Sequence, residues 1–321
     1  MAVIRTACVR LIPRTATLLG AGLVLAVVGL APPAAQASPG FPAQYSAPYL
    51  EIAPSDAADM AADMRATGDR FYSLAFLVPR PRHGCTPMWE DDRNPLGEFS
   101  QRVAALQRAG GNVIISFGGA SGGELAIACR SVSRLEAAYA NVVRTYHLRR
   151  LDFDIEGRYL NRTNANVRRD KALAELQRAD PALAIDYTVP VDPNGLESNA
   201  LALLRDAQSR GVKVNLVNIM TMDFGNGQNV LADAKSAARG SASQLASLYD
   251  ISSSAAYARM GLTPIAGRND DREFFHRSDA RALERFAAPR GIKELAFWEV
   301  DHYDSPLGYA YSKIFQRISG G

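Results

Sequence analysis

Eight short runs rich in β-branched and aromatic residues alternate with segments whose apolar residues recur at helical spacing, and this alternation leaves the chain few architectures. The runs are Tyr45 to Ile52, Arg70 to Val78, Asn112 to Phe117, Arg149 to Glu156, Ala184 to Pro190, Lys213 to Met222, Thr263 to Ala266 and Glu294 to Val300. Helical patterns between them include Phe99 to Gln107, Leu135 to Tyr146, Arg168 to Gln177, Ala200 to Arg210, Ser241 to Leu248 and Ala280 to Phe286. Eight strand-then-helix units in a chain of this length match an α/β fold of the (β/α)8 type, the TIM barrel. A doubly wound open sheet is the competing arrangement, but no glycine-rich dinucleotide fingerprint follows the first run. The expected fold is a single barrel domain without an inserted domain.

The first 37 of the 321 residues carry a different signal. Arg5, Arg10 and Arg14 make a basic start, Thr17 to Ala31 an apolar core, and Ala35-Gln36-Ala37 a small-residue cleavage site before Ser38. Residues 1–37 therefore read as a secretory leader and residues 38–321 as the (β/α)8 domain. The protein is expected to be secreted, extracellular and free of the membrane once the leader is removed. An uncleaved anchor is the alternative, although the apolar core is short for a bilayer span. Three of the 36 basic residues leave with the leader and none of the 33 acids does, so the mature net charge is about zero. That balance gives no support for a nucleic-acid partner.

Cys8 lies in the leader, which leaves Cys85 and Cys129 as an even pair in an oxidising compartment. Two buried free thiols are the alternative. Cys85 follows the second run and Cys129 falls in the helix after the third, so both belong to neighbouring units near one rim of the barrel, and a disulfide is expected. The four histidines, His83, His147, His276 and His302, are scattered with no Cys/His spacing of a zinc site. Neither a metal nor another cofactor is expected.

Within the fourth run, Leu151-Asp152-Phe153-Asp154-Ile155-Glu156-Gly157 alternates three acids with three large apolar residues. On a strand the acids share one face and the apolar residues the other. An edge strand with a solvated face is the simplest structural account. Like charges side by side repel, however, and such crowding is characteristic of sites that shift the proton affinity of their carboxyls.

Asp152-Phe153-Asp154-Ile155-Glu156 resembles the signature on the fourth barrel strand of glycoside hydrolase family 18, the chitinases and their relatives. Three more segments agree in order. Ser116-Phe117-Gly118-Gly119 is similar to the family's S-x-G-G on the third strand, Met220-Thr221-Met222-Asp223 to the M-x-Y-D of the sixth, and Trp298 falls where a tryptophan closes the eighth. Taken alone, the glycines would more often ease a turn, and Met220, Met222 and Trp298 would more often be core residues. The likeness extends from about Tyr45 to Tyr311, and single-domain bacterial chitinases with Ala47-Pro48-Tyr49 on the first strand resemble it most.

The resemblance implies a retaining hydrolase of β-1,4-linked N-acetylglucosamine chains, acting as a monomer on chitin or its oligomers by a substrate-assisted route in which the acetamido oxygen attacks. Glu156 would be the general acid and then the base. Asp154 would turn toward the acetamido N–H, and Asp152 would couple to Asp154 by sharing a proton. Ser116 and Tyr49 would hydrogen-bond the buried carboxylate, Asp223 and Tyr187 would hold the acetamido group, and Trp298 would floor the sugar, with Met220, Met222 and Gly118 among the substrate contacts.

Two departures stand out. Arg149 and Arg150 replace an Asp-Gly pair at the start of the fourth strand, away from the reacting end. Met222 stands where many members carry a tyrosine, and Phe224 has no hydroxyl either. Two other activities share this machinery: a carbohydrate-binding barrel that has lost hydrolysis, and an endo-β-N-acetylglucosaminidase acting on glycoprotein glycans. Release of reducing ends and product analysis on a glycoprotein separate them.

Overall fold

A computed structural model describes residues 40–54, 59–90, 93–227 and 229–320, so the leader expected over residues 1–37 lies outside the described residues. Eight parallel strands close into a barrel. They are β1 (Tyr45–Ser46 continuing as Tyr49–Glu51), β2 (Phe71–Arg80), β3 (Asn112–Gly118), β4 (Arg150–Asp154), β5 (Ala184–Asp192), β6 (Val214–Met220), β7 (Met260–Thr263) and β8 (Glu294–Leu295). Closure runs through β1, where Tyr45 and Ser46 pair with Glu294 and Leu295 of β8, while Tyr49 to Glu51 pair with Ser73 to Ala75 of β2. Every other pair is a sequential neighbour.

A helix follows each strand: α1 (Asp59–Thr67), α2 (Ser100–Arg108), α3 (Val132–Tyr146), α4 (Thr163–Ala179), α5 (Ser198–Ser209), α6 (Val230–Tyr249), α7 (Arg277–Ala287) and α8 (Ser312–Phe315). Helix α3 shows why. The Ser131 side chain caps its start by accepting from the Arg134 N–H, and Leu135, Ala138, Tyr139, Val142 and Tyr146 bury one stripe at helical spacing. Tyr139 meets Phe117 and Phe153 edge-on, each at 5.1 Å between ring centres, and so ties α3 to the outer face of β3 and β4.

Two of the expected runs shift. β7 occupies Met260 to Thr263 rather than Thr263 to Ala266, because Pro264 has no N–H to continue the ladder. Helix α6 begins well before Ser241, at Val230, where the Asn229 side chain accepts from the Ala232 N–H.

Beyond the barrel proper, β2 continues into a hairpin whose second arm, His83–Trp89, carries Cys85. Cys85 is joined to Cys129, which follows the short helix Leu125–Ala128; the Cα atoms stand 4.5 Å apart across a sequence separation of 44. The close approach depends on Gly84, since a Cβ there would lie 2.5 Å from the Ala128 carbonyl oxygen. The expected disulfide is thus present. It tethers the β2 hairpin to the segment after β3, on the side of the barrel where the strands end.

Candidate active site

Along β4 every second side chain enters the barrel. Arg150 lies lowest and is gripped by both Asp186 oxygens, from Nη1 at 2.9 and 2.8 Å. The tyrosine at position 45 donates to Glu294 Oε2 beside it at 2.7 Å, so the arginine that departs from the family pattern serves a buried ion layer at the closed end of the barrel. Burial pushes the Glu294 carboxyl up to about 8.

One turn of the pleat higher sits Asp152, fully enclosed. Its Oδ2 accepts from Ser116 at 2.6 Å and from Tyr49 at 3.1 Å, and its Oδ1 accepts from Thr188 at 2.8 Å. Three strands supply those hydroxyls, and β4 itself lies between two of them. Asn218 donates to Thr188 at 3.1 Å and accepts from Thr263 at 2.8 Å, extending the network to β6 and β7. Desolvation pushes the Asp152 carboxyl up to about 7, while the hydroxyls pull the other way.

Asp154 and Glu156 form the upper pair. The strand ends at Asp154, and Gly157 at φ 50° turns the chain, so Glu156 stands just past the last ladder residue, half-buried. Burial raises both carboxyls, and Asp154 is raised further by hydrogen bonding to Glu156 and by the charges of Glu156 and Asp152. Asp154 thus interacts with Glu156 above it and feels the charge of Asp152 below. Beneath this pair three hydroxyls bind the two Asp152 oxygens.

Above the acids opens a cavity of about 200 Å³ lined by Tyr49, Phe76, Thr188, Met220, Met222, Asp223, Asp270 and Trp298 together with Asp154 and Glu156. Trp298 stacks on Phe76 with ring centres 5.6 Å apart and planes 11° apart, and Tyr49 leans on it at 6.0 Å. This apolar wall suits the faces of a sugar ring. Asp223, at φ 49°, is held by the neighbouring loop: its N–H donates to Asn269 Oδ1 at 3.1 Å, and its Oδ1 accepts from the Asp271 N–H at 3.2 Å.

Two expected contacts do not belong to the cavity. Tyr187 is paired in register with Phe153, not with an acid, so it points out of the barrel, where its hydroxyl donates to Asp170 on α4 under the Arg169 guanidinium. Thr188, one residue on, takes the inward position. Alternation from the inward Asp186 was the available signal for both. Gly118 does not line the cavity; at φ 107° it lets β3 pass β4, since a Cβ would meet the Asp154 carbonyl oxygen at 2.1 Å. Ser116 is likewise sealed below the cavity and acts through Asp152. Asp270, Phe76 and Asn218 carried no sequence signal of their own, because loop closure and strand register bring them in.

No protein-family profile matches the chain. It is 33% identical over 297 residues to a probable bifunctional chitinase/lysozyme of Escherichia coli, covering 87% of this chain, and 33% identical over 276 residues to Endochitinase 11 of Metarhizium anisopliae, covering 81%. The chain spans 33% and 52% of the lengths of those two relatives. The crystal structure of the catalytic domain of a hyperthermophilic chitinase from Pyrococcus furiosus superposes with a TM-score of 0.81 at 29% identity, over 88% of this chain and 97% of that one.

The chain belongs to glycoside hydrolase family 18.

The family 18 signature on β4 explains its spacing. Asp152, Asp154 and Glu156 rise along one face from a sealed, hydroxyl-bound carboxyl, through a buried one, to a half-buried one at the cavity. Solvent access thus increases along five residues. The family 18 position held here by Met222 is at the cavity wall, half-buried, so the missing hydroxyl is missing from the site itself.

Proposed function

We propose that the chain hydrolyses β-1,4 bonds between N-acetylglucosamine units of chitin, with retention and with the substrate's own acetamido oxygen as nucleophile. The observation that carries this reading is the Asp154–Glu156 pair at the cavity floor, both carboxyls raised by burial, while the lining hydroxyls of Tyr49, Thr188 and Thr263 are engaged by Asp152 and Asn218. A family 18 barrel that works this way needs one carboxyl to deliver a proton and another to steady a positive nitrogen. When an acetamido N–H donates to Asp154, it favours the Asp154 anion, and the shared proton passes to Glu156.

Glu156 then protonates the glycosidic oxygen as the acetamido oxygen closes on C1, forming an oxazolinium ion and releasing the leaving sugar. Asp154 offsets the charge that develops on nitrogen. Glu156, now a carboxylate, takes a proton from water as the water opens the ring, restoring both groups. Asp152 holds Asp154 by charge from below, kept in place by Ser116, Tyr49 and Thr188. Trp298 and Phe76 supply the apolar wall, and Asp223 stands at the rim to meet the acetamido group. The names of the relatives, chitinases all, support the substrate.

The basic start, apolar core and small-residue site of residues 1–37 support action outside the cell, as does the disulfide, which persists in oxidising surroundings. The test is incubation of the purified protein with chitin oligomers, with the anomer of the first product read by NMR. Release of β-anomeric products, inhibition by a thiazoline analogue and heavy loss in Asp154→Asn are expected. A glycosyl ester trapped on an Asp or Glu would overturn the mechanism.

A further inference from the structure

Asp152 is held by three hydroxyls, and two of them meet one further residue. Asn218 points inward from β6, 1% exposed, and does not line the cavity. Its Nδ2 lies 3.1 Å from the Thr188 hydroxyl oxygen and 3.4 Å from that of Tyr49, while its Oδ1 accepts from Thr263 at 2.8 Å. The neighbouring strand leaves room for the amide. Gly261 pairs with Asn218 in register on β7, and a Cβ there would lie 2.7 Å from Asn218 Oδ1.

Proton counting gives this arrangement a direction. A hydroxyl has one proton to donate, whereas an amide nitrogen has two and accepts none. The Thr188 and Tyr49 oxygens also lie 2.9 Å from each other, so either could turn its proton toward its neighbour instead of the carboxylate. With the amide hydrogens of Asn218 against them, both oxygens accept on that side. Their own protons then point to Asp152, from Thr188 to Oδ1 at 2.8 Å and from Tyr49 to Oδ2 at 3.1 Å. Thr263, by donating to Oδ1, keeps the amide nitrogen turned toward Thr188 and Tyr49.

The other titratable groups that act on Asp152 are acids: Asp154 above it, and Asp186 and Glu294 in the layer below, where Arg150 meets Asp186. Burial and these acids work against an Asp152 anion. Donation by Ser116, Thr188 and Tyr49 favours it.

We propose that Asn218 is a positioning residue: by donating to Thr188 and Tyr49 it aims their protons at Asp152, and so keeps beneath Asp154 the negative charge on which proton delivery by Asp154 and Glu156 depends. The link to proton delivery rests on the hydrolytic reading above; the direction of the hydroxyls does not.

The experiment follows the Asp152 carboxyl by carbon-13 NMR of protein labelled at aspartate Cγ, with its signal identified by its loss in Asp152→Asn. It is titrated in the unaltered protein, in Asn218→Leu, which keeps the size but has no donor, and in Thr263→Val, which frees the amide to turn over. Rates on a chitin oligomer are measured across the same pH range. Both variants should raise the Asp152 midpoint, Asn218→Leu by roughly half to one pH unit and Thr263→Val by less. In Asn218→Leu, kcat should fall roughly threefold to tenfold at neutral pH, with a displaced pH profile and nearly unchanged KM. A folded variant with a lowered melting temperature and an unmoved midpoint shows a packing role only and overturns the proposal, and Thr263→Val decides it alone if Asn218→Leu does not fold. A raised midpoint that leaves kcat and its pH profile unchanged overturns it as well. A raised midpoint in a protein that turns over no oligomer even unaltered would support the positioning of Asp152 while overturning the hydrolase reading.

Discussion

Ser116 and Asp152 stand side by side on adjacent strands, and the serine hydroxyl donates to Asp152 Oδ2 across 2.6 Å in a space closed to solvent. Asp152 touches no part of the cavity, so it acts on the chemistry only through the charge it presents to Asp154. That charge depends on its hydroxyl partners. Ser116→Ala removes the shortest of them and should raise the Asp152 proton affinity further. The expected results are a loss of about 1–3 kcal/mol in stability, the usual range for an unsatisfied buried group, and a displaced pH–rate profile. An unchanged profile would show that Asp152 does not tune the site.

Glu156→Gln should fold and bind chitin oligomers while losing turnover, because the amide keeps the shape but has no proton to deliver. General acid–base catalysis is worth on the order of 10²–10⁴-fold, so kcat should fall by at least that factor. Hydrolysis near the unaltered rate would remove Glu156 from the mechanism.

Tyr187→Phe tests the correction that places this residue outside the barrel. Loss of its bond to buried Asp170 should lower stability by about 1–3 kcal/mol. KM and kcat at a temperature well below melting should stay as they were. A selective rise in KM would return Tyr187 to the substrate.

Met222→Tyr restores the hydroxyl of the family pattern. With Tyr187 facing outward and the Tyr49 hydroxyl engaged by Asp152 and Thr188, the acetamido oxygen lacks a tyrosine donor in the cavity. Met222 is half-buried at the wall, which leaves the ring room to extend. One added hydrogen bond of about 1 kcal/mol should raise kcat severalfold. A lowered melting temperature with no gain in rate would mean instead that the wall has repacked around methionine.

Stability should decline toward alkaline pH. Burial raises Asp152 to about 7 and Glu294 to about 8 from ordinary values of 3.8 and 4.5. A carboxyl that binds its proton more tightly when folded favours the folded state fully below its ordinary value, and that advantage is lost as pH rises through the folded value. The melting temperature should therefore fall between pH 5 and about pH 8.5, most steeply between about pH 5 and 7, and level off as pH passes the folded values. A flat or rising profile across that window would contradict the protonated state of the inner carboxyls. The general acid predicts the same direction for rate, since a raised Glu156 loses its proton as pH climbs.

What the sequence determined by itself is whatever depends on neighbours along the chain. Strand alternation put Asp152, Asp154 and Glu156 on one face, helical spacing marked the stripe from Leu135 to Tyr146, and the count of units implied a closed barrel. Alternation also held the correct answer for position 187, since the residue after inward Asp186 must face out, but the functional expectation for a tyrosine displaced it. Only the tertiary structure decided which side chains from other strands reach those acids. Ser116, Tyr49 and Thr188 meet at Asp152 because β3, β1 and β5 are set at particular registers, and register is a relation between distant segments that no local pattern encodes. Asp270 enters the cavity for a similar reason, through a loop held by Asn269 to the backbone of Asp223. Proton affinities followed the same division: the sequence showed which groups are acids, and burial within the closed barrel decided how tightly each holds its proton.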